Sequence, residues 1–189
     1  LCSDASDDDG RFAGDPLEVA FLRAAHADGV DIVRLRASHP LVNEFTFDNL
    51  RKRMSVVLAA ERGSWIIAKG APEALLDRSG RRWTAGGTAP MTDADRVLIE
   101  ASASALAGTG QRVVAFAEKT AAAPPGSSDA AESDLVFVGL VGLEDPPRAE
   151  ARPSIEACRA AGIRPVIVTG DHPLTAMAVA TQIGFDAEA

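Results

Sequence analysis

Several kinds of residue are scarce in this sequence of 189 residues, and each scarcity excludes a class of protein. There is no tyrosine, and the two cysteines, Cys2 and Cys158, have no histidine cluster beside them, so neither a disulfide framework nor a zinc site is expected. No apolar run approaches the roughly 20 residues that are needed to cross a bilayer. The chain has 19 basic and 27 acidic residues, a net charge of −8. This balance argues against a nucleic-acid partner, because duplex-binding domains present a basic face.

The rest of the composition is that of a packed, water-soluble protein. Hydrophobic residues make up 47% of the chain and charged residues 24%, which excludes long disordered or repetitive stretches. The chain begins at Leu1 without a methionine and without the basic and apolar segments of a secretory signal. We therefore expect a piece of a longer protein, with both cysteines as free thiols in a reducing compartment.

Helix and strand signals alternate over residues 15–118. Asp15 can cap a helix, Pro16 suits its first turn and Glu18 completes a capping box, which predicts a helix that runs to about Asp28. A connecting stretch follows it. The period of the apolar residues then predicts strands over 43–47, 54–60 and 64–68, helices over 72–78 and 92–106, a short edge strand near Trp83 and a strand over 112–118.

The pattern changes after residue 119. Residues 120–133 contain Ala-Pro-Pro-Gly-Ser-Ser and predict a loop. Beyond them the sequence predicts an apolar strand over 135–143, a helix over 153–161, a fully buried strand over 166–168 and a helix over 173–183. Apolar strands that alternate with helices are typical of a parallel sheet covered on both faces. Because two strands do not make a stable sheet, we expect the rest of that domain to lie outside this chain.

One motif combines an aromatic residue with a run of cations. Phe47 lies at a strand end, and Arg51, Lys52 and Arg53 follow it within one turn. An aromatic face can stack on a nucleobase, and cations nearby attract phosphates, so the motif favours a nucleotide as ligand. The alternative is that Phe47 belongs to the core and the cations form a solvated turn.

A second motif is Lys69-Gly70-Ala71-Pro72-Glu73, between a strand and a helix. Pro72 and Glu73 are explained by helix initiation alone. Lys69 is not, and it is one of only three lysines among the 19 basic residues. Beside a glycine that leaves the backbone bare, its side chain could approach a ligand closely. Of the other two lysines, Lys119 is interpreted as an ordinary surface charge.

Two further motifs lie in the last third of the chain. Thr169-Gly170-Asp171 follows the predicted strand at 166–168, where a hydroxyl, a glycine and a carboxylate suit phosphate and Mg²⁺. The alternative is an ordinary turn with a helix cap. Residues 144–148, Glu-Asp-Pro-Pro-Arg, form a stiff joint and are interpreted as a hinge.

Several catalytic signatures are absent from the sequence. It contains no Walker-type glycine loop, no Gly-x-Gly-x-x-Gly, no Gly-x-Ser-x-Gly and no His-Glu-x-x-His. Residues 7–10, Asp-Asp-Asp-Gly, superficially match the aspartyl nucleophile motif of phosphatases, but no apolar strand precedes them to hold a nucleophile rigidly. A free-standing phosphatase of the haloacid dehalogenase type is therefore disfavoured.

Taken in order, these motifs resemble those of the cytoplasmic nucleotide-binding domain of P-type cation-transporting ATPases, joined to part of their phosphorylation domain. The resemblance covers nearly the whole chain, and the order of the motifs makes it specific. It rests on Gly14–Glu18 for Gly-Asp-Pro-Thr-Glu, Phe47–Ser55 for the aromatic-turn-Arg-Lys-x-Met-Ser box, Lys69–Glu73 for Lys-Gly-Ala-Pro-Glu, Gly110–Val113 for a strand with a phosphate-contacting arginine, Asp145–Arg148 for Asp-Pro-Pro-Arg and Thr169–Asp171 for Thr-Gly-Asp.

The resemblance implies an α+β fold with a mixed, largely antiparallel sheet flanked by helices over residues 1–137. Residues 138–189 would form a partial α/β segment of the haloacid-dehalogenase-like phosphorylation domain. It also implies ATP and Mg²⁺ as ligands, and a place on the cytoplasmic face of a membrane. The partners would be the remaining phosphorylation, actuator and transmembrane domains of the same pump, and no nucleic acid.

The resemblance assigns roles to individual residues. Phe47 would stack on adenine, with Glu18 near the amino group of the base. The other residues expected to bind ATP are Lys52, Lys69, Gly70 and, at the phosphates, Arg112. Those expected to meet the phosphates and Mg²⁺ when the domains close are Asp145, Arg148, Thr169, Gly170 and Asp171.

This sequence departs from the family pattern at two positions, and at a third place it matches another branch of pumps. Leu17 replaces the usual threonine, so a hydroxyl contact is lost there, and Asn49 stands where some relatives have a basic residue. His39-Pro40 matches a pair found in heavy-metal pumps, but a strand signal follows it and we interpret the match as coincidence. The whole pattern fits calcium, sodium, proton or magnesium pumps better.

Two motifs of the family are missing. The chain has neither the Asp-Lys-Thr-Gly-Thr run that carries the phosphorylated aspartate nor the Gly-Asp-Gly metal motif. We therefore expect this chain to bind ATP without forming an aspartyl phosphate or hydrolysing ATP. The alternative hypothesis is a regulatory or scaffold module that kept the fold and lost the nucleotide.

Overall fold

A computed structural model describes residues 1–8, 11–144, 147–170 and 173–185 of the chain. Up to residue 90 its elements are β1 (Ser6–Asp8), β2 (Arg11–Ala13), α1 (Pro16–Ala27), α2 (Ile32–Ser38), β3 (Leu41–Asp48), β4 (Arg53–Ala59), β5 (Ser64–Gly70), α3 (Pro72–Leu76), β6 (Ser79–Thr84) and β7 (Gly87–Pro90). Beyond it they are α4 (Asp93–Gly108), β8 (Arg112–Ala121), α5 (Ser128–Ala131), β9 (Leu135–Leu143), α6 (Ala151–Ala160) and α7 (Pro173–Gln182).

The chain divides into two compact units. The first unit comprises residues 1–97 and 114–141, and the second comprises residues 98–113 and 142 onward. The main feature of the first unit is a seven-stranded sheet in the order β3-β4-β5-β8-β9-β6-β7. The pairs among β3, β4, β5 and β8 are antiparallel, as is β6 with β7, whereas β6 and β9 are parallel. The predicted α+β fold with a mixed, largely antiparallel sheet is thus confirmed.

The centre of the sheet is buried on both faces. Side chains on successive residues of a strand point to opposite sides, so each central strand contributes to both. On one face Met54, Val56 and Leu58 of β4 pack with the amino-terminal Cys2. On the other face Val57 and Ile66 pack with Phe45, Ala121 and Ala131. Each large aliphatic side chain buried in this way contributes about 1.5–3 kcal/mol to folding.

Two short helices fall where the sequence predicted loops. The connecting stretch before β3 contains α2, whose cap residue Asp31 accepts a hydrogen bond from the Arg34 amide at 2.9 Å. Its first residue, Ile32, is buried against Leu22 of α1. The predicted loop over 120–133 contains α5, whose Ala131 is fully buried. Both helices are too short for a helical period to be visible, and tertiary packing stabilises them.

The predicted buried strand at 166–168 is wrong. These residues have no regular secondary structure, and the exposed fractions of Val166, Ile167 and Val168 are 74%, 39% and 93%. A buried parallel strand needs neighbours on both sides. In the described part of the second unit, only the ends of β8 and β9 are extended. Among the described residues of this unit, the apolar run therefore has no neighbouring strand to pair with.

The second unit is otherwise helical. Gly110 has a φ of 90° and a Cβ there would contact the Ala178 Cβ at 3.3 Å, so glycine allows α7 to pack closely. In the last turn of α6, the guanidinium of Arg159 lies 5.4 Å from the centre of the Phe185 ring and donates to the Gly184 carbonyl at 2.7 Å. In the described part of the chain no helix combines the length and the apolar character that a membrane span requires.

Candidate functional site

The register of the sheet brings the ends of three strands into one row. Asp48 on β3 is paired with Arg53 on β4, and Arg53 with Gly70 on β5. Phe47 and Lys69 each precede this row by one residue, on strands that run in the same direction on either side of β4. Alternate strands of a sheet are about 10 Å apart. Two residues separated by 22 positions in the sequence, both assigned to ATP by the resemblance, thus share one end of the sheet.

Phe47 faces solvent. Its exposed fraction is 57%, whereas Phe45, two residues earlier on β3, packs in the core with Val57 and Ile66. The register of β3 with β4 shifts between Phe45 and Asp48, which places an extra residue in β3 at this point. The alternative reading, in which Phe47 is a core residue, is therefore wrong. A large exposed aromatic ring next to a bulge is available to a ligand.

The turn after Phe47 is built on one aspartate. The Oδ1 atom of Asp48 accepts hydrogen bonds from the amides of Leu50 at 2.9 Å and Arg51 at 2.8 Å, which is an Asx turn. Lys52 closes the turn with a φ of 52°, in the left-handed region that side chains other than glycine seldom adopt. Its ammonium lies at the surface, 3.1 Å from a carboxylate oxygen of Glu73.

Gly70 is required by the protein's own packing. A Cβ at this position would clash with the Lys52 carbonyl oxygen and would lie 2.6 Å from the Arg53 Cβ. The next amide, that of Ala71, donates to the Lys52 carbonyl at 2.9 Å. The close approach at Gly70 is thus made by the turn between β3 and β4. A ligand contact at Gly70 stays a prediction.

The cationic triplet that follows Phe47, residues Arg51, Lys52 and Arg53, does not act as one cluster, because Glu132 binds two of its members. Glu132 is fully buried at the end of α5. Its carboxylate accepts from Arg51 Nη1 and, at 2.7 Å, from Arg53 Nε. The three residues are therefore not a simple solvated turn, and Lys52 is the most exposed of them, with 59% of its side chain exposed against 26% for Arg51 and 8% for Arg53. Sequence reasoning missed Glu132, since a single glutamate 79 residues away gives no local signal.

Lys69 is buried, with only 7% of its side chain exposed. Its ammonium binds Glu18 Oε1 and donates to the Cys2 carbonyl at 2.7 Å. It also lies 5.6 Å from the centre of the Phe21 ring. Lys69 and Glu18, which the resemblance separately assigns to ATP binding, are thus in direct contact. Glu18 is held by the first turn of α1, where Asp15 caps the helix by accepting from the Leu17 amide at 2.9 Å.

Glu18 retains one unused acceptor. Its Oε2 atom is buried and has no hydrogen-bond partner among the residues that the structure describes. A buried carboxylate oxygen without a donor is costly, and a bound ligand with an N–H group would supply one. The Glu18–Lys69 pair therefore offers a buried acceptor, which makes it a candidate for contact with a ligand.

The thiol of Cys2 is not a reactive group. Burial raises its pKa to about 11, although the nearby Lys69 acts in the opposite direction. A thiol with such a pKa is neutral near pH 7 and is a poor nucleophile. Cys2 acts as a small apolar residue in the cluster with Met54 and Val56.

Lys119 is not the ordinary surface charge that the sequence suggested. Its ammonium donates to the carbonyls of Ala130 at 2.6 Å and Ser133 at 2.7 Å, and thereby fastens α5 to β8. Partial burial lowers the pKa of this lysine from its ordinary value. Its role is structural.

The predicted phosphate-proximal residues belong to the second unit. Arg112 is exposed at the start of β8, Arg148 is exposed before α6, and Thr169 and Gly170 are exposed in the irregular segment before α7. Asp145 and Asp171 lie outside the described residues. Within the described ranges, no three histidine, cysteine or acidic side chains are arranged to hold a metal ion.

Comparisons with known proteins agree on one family. The family model for "P-type ATPase, cytoplasmic domain N" matches residues 1–150. Calcium-transporting ATPase 1 of Bacillus cereus is 39% identical over 185 residues, which are 98% of this chain and 21% of that protein. A calcium-transporting ATPase of Bacillus subtilis is 38% identical over 97% of this chain and 21% of its own length. The alpha-2 subunit of the sodium/potassium-transporting ATPase of Gallus gallus is 34% identical over 93% of this chain and 18% of its own length. This chain thus spans about a fifth of these relatives.

Proposed function

This chain belongs to the P-type ATPase family, as its cytoplasmic domain N, and we propose that it is the ATP-binding domain of a cation-transporting pump. ATP would bind at the shared end of β3 and β5. The pump would then transfer the terminal phosphoryl group to an aspartate outside this chain, and use the reaction to move a cation across a membrane. The actuator, transmembrane and remaining phosphorylation domains of the same pump would be its partners.

The observation that carries the proposal is the pairing of an exposed ring with an unsatisfied carboxylate at one end of the sheet. Phe47 is 57% exposed, and Glu18, held by Lys69, has a buried oxygen without a donor. A purine ring stacked on a phenyl face contributes about 1–3 kcal/mol. An exocyclic amino group on that purine would supply the missing donor.

The unused oxygen of Glu18 favours adenine over guanine. Adenine carries an amino group at position 6, which donates hydrogen bonds, whereas guanine carries a carbonyl oxygen there, which only accepts. A carboxylate that meets that carbonyl oxygen would remain unsatisfied and would be repelled. We therefore propose ATP, and not GTP, as the nucleotide.

Few cations of the first unit would be available to bind the phosphates. Arg51 and Arg53 are bound to Glu132, so Lys52 is the member of the triplet whose ammonium is available at the surface. The resemblance assigns Arg112, which belongs to the second unit, to the phosphates as well. We expect modest affinity, because the domain must release the nucleotide toward the phosphorylation site, and tight ground-state binding does not speed the reaction.

We propose that Mg²⁺ arrives with the nucleotide. Mg²⁺ in such sites is held by one or two carboxylates together with substrate phosphates. The carboxylates assigned to it by resemblance, Asp145 and Asp171, would act with Arg148, Thr169 and Gly170 when the domains close. With the domain boundary near residue 137, these residues belong to the partial phosphorylation domain over 138–189.

The chain by itself is proposed to bind ATP without hydrolysing it. Phosphoryl transfer needs an acceptor nucleophile in line with the leaving group. The Asp-Lys-Thr-Gly-Thr run that would supply it is absent from the sequence. Mg²⁺-ATP hydrolysis by the purified chain, abolished by a substitution within it, would contradict this part of the proposal.

Calorimetric titration of matched aromatic variants tests the binding site. Phe47→Ala should weaken ATP binding roughly tenfold or more, as expected for the loss of one stacking partner. Trp83→Ala is the control, because Trp83 is also a half-exposed aromatic residue, 47% exposed, but lies on β6 near the opposite edge of the sheet. Equal ATP affinity of the Phe47→Ala variant and the wild type would refute the proposed site. A wild-type chain that binds no ATP would favour the scaffold module.

A further inference from the structure

We infer that Glu132 is a positioning residue of the proposed ATP site, which holds the turn between β3 and β4 through Arg51 and Arg53 and so fixes the place of Phe47. The inference rests on the proposed function. It goes beyond it because Glu132 belongs to none of the recognised motifs and is expected to make no contact with the nucleotide.

The carboxylate of Glu132 is fully engaged and fully buried. It accepts hydrogen bonds from both guanidinium groups, and its Oε1 atom also accepts from the Ser55 hydroxyl at 3.1 Å. The exposed fractions of the Glu132 and Arg53 side chains are 0% and 8%. A buried charge is tolerated only when it is paired and hydrogen-bonded. Removal of Glu132 would leave Arg53 buried without a counter-charge.

The same two arginines reach the backbone around Phe47. The Nη2 atom of Arg51 donates to the Thr46 carbonyl at 2.8 Å, one residue before Phe47. The Nη1 atom of Arg53 donates to the Arg51 carbonyl at 3.0 Å, within the turn. Each guanidinium thus links the buried carboxylate to one side of the turn. Because guanidinium is planar with fixed donor directions, such a link transmits position as well as charge.

Glu132 is itself fixed to the sheet. Its amide donates to the Ser128 carbonyl at 2.8 Å, and the preceding Ala131 is fully buried beside Val57 and Ile66. Lys119 on β8 holds the carbonyls on either side of it. The anchor is therefore rigid and the turn is the part that it restrains. A binding group on a turn needs such support to keep its geometry.

Two effects of losing Glu132 can be separated by the choice of ligand. If Glu132 only neutralised the arginines, its loss would free two cations and would tighten the binding of ATP more than that of adenosine. If Glu132 positions the turn, its loss displaces the stacking ring and weakens the binding of both ligands. If its role were confined to stability, the affinity of the folded chain would not change.

The experiment measures the dissociation constants of ATP and adenosine for the full 189-residue chain by calorimetry, below the unfolding transition of each variant. Glu132→Gln keeps the shape of the side chain and removes its charge. We expect it to bind both ligands roughly tenfold more weakly, in line with the effect of a small displacement of a binding group. Asp129→Asn is the matched control. Asp129 lies on α5, the helix that ends at Glu132, and its exposed ion pair with Arg78 lies outside the turn. This variant should leave both constants unchanged.

Unchanged or tighter binding by Glu132→Gln would overturn the inference. Should that variant fail to fold, Arg51→Lys replaces it, because lysine keeps the charge but does not reach Glu132 and the Thr46 carbonyl together. It should weaken adenosine binding, and an unchanged constant would equally overturn the inference. If the wild type binds neither ligand, the proposed function fails by itself. In that case, hydrogen exchange of the Leu50 and Arg51 amides tests whether Glu132 holds the turn. Faster exchange in Glu132→Gln supports this role, and unchanged exchange refutes it.

Discussion

Lys69 and Glu18 form a buried ion pair across 51 residues of sequence, and this pair joins the first turn of α1 to the end of β5. The side chains are 7% and 14% exposed, so water screens the charges little. One carboxylate oxygen is bound by the ammonium, and the other has no donor among the residues that the structure describes. The pair therefore serves both the stability of the first unit and the proposed recognition of adenine.

Breaking this pair from one side should destabilise the chain strongly. Lys69→Met leaves the Glu18 carboxylate buried without its counter-charge, and we expect the free energy of unfolding to fall by about 3 kcal/mol or more. The double variant Glu18→Gln with Lys69→Met should be more stable than the sum of the two single variants predicts. Urea unfolding of the four chains measures the coupling. Additive losses of unfolding free energy would contradict a direct interaction between Glu18 and Lys69.

Base selectivity should depend on Glu18. We expect the wild type to bind ATP at least roughly tenfold more tightly than GTP, since a site built for a donor rejects an acceptor. Glu18→Ala should bring the two affinities closer together, because the carboxylate that distinguishes the bases is gone. Competition between the nucleotides, followed by calorimetry, gives the ratio. Equal affinities in the wild type would show that Glu18 does not read the base.

Asp95 should contribute to the acid sensitivity of the first unit. Hydrogen bonds from Arg82 and from Thr92 lower the pKa of Asp95 from 3.8 to about 2. A folded-state pKa below the unfolded value stabilises the fold above the unfolded pKa, and this contribution is lost as the pH falls from 3.8 toward 2. Asp95→Asn should therefore be less stable than the wild type near neutral pH.

Urea unfolding at a series of pH values checks the Asp95 prediction. The difference between the wild type and Asp95→Asn should shrink as the pH falls below about 4. Asp93→Asn is the control, because Asp93 is an exposed residue at the start of the same helix. A difference that stays constant down to pH 2 would contradict the assigned cause.

Glu118 should govern the fluorescence of the chain. The only two tryptophans both donate to its carboxylate, Trp65 at 2.7 Å and Trp83 at 2.6 Å. Glu118→Ala leaves the half-buried Trp65 indole without its acceptor, and we expect the free energy of unfolding to fall by about 1–3 kcal/mol. The emission spectrum should change at the same time. Glu100→Ala, which removes an exposed carboxylate from α4, should change neither quantity.

Strands β3, β4, β5 and β8 could be predicted because their patterns are local. Alternating apolar residues gave β4 and β5 nearly to their observed ends, and the position of Phe47 at a strand end followed from the change of pattern after it. The capping residues Asp15 and Pro16 located the start of α1 in the same way. These signals require only the residues within one element.

The remaining features depend on residues far apart in sequence. The bond between Arg53 and Glu132 spans 79 positions, and no local pattern marks either residue as a partner of the other. The run at 166–168 reads as a buried strand from its composition, but burial depends on neighbouring strands that the described second unit does not supply. An apolar run thus indicates what a segment can pack against, and not whether the partner is present.

The most direct test of the central claim is the amide ¹H–¹⁵N NMR spectrum of the chain during titration with ATP. The account predicts that the largest shifts fall on Phe47, on the turn up to Lys52, and on Lys69 and Gly70, and that the same signals move less in Phe47→Ala. The Trp83→Ala variant should reproduce the wild-type shifts. A spectrum that does not change at saturating ATP, or shifts that avoid the ends of β3 and β5, would contradict the account.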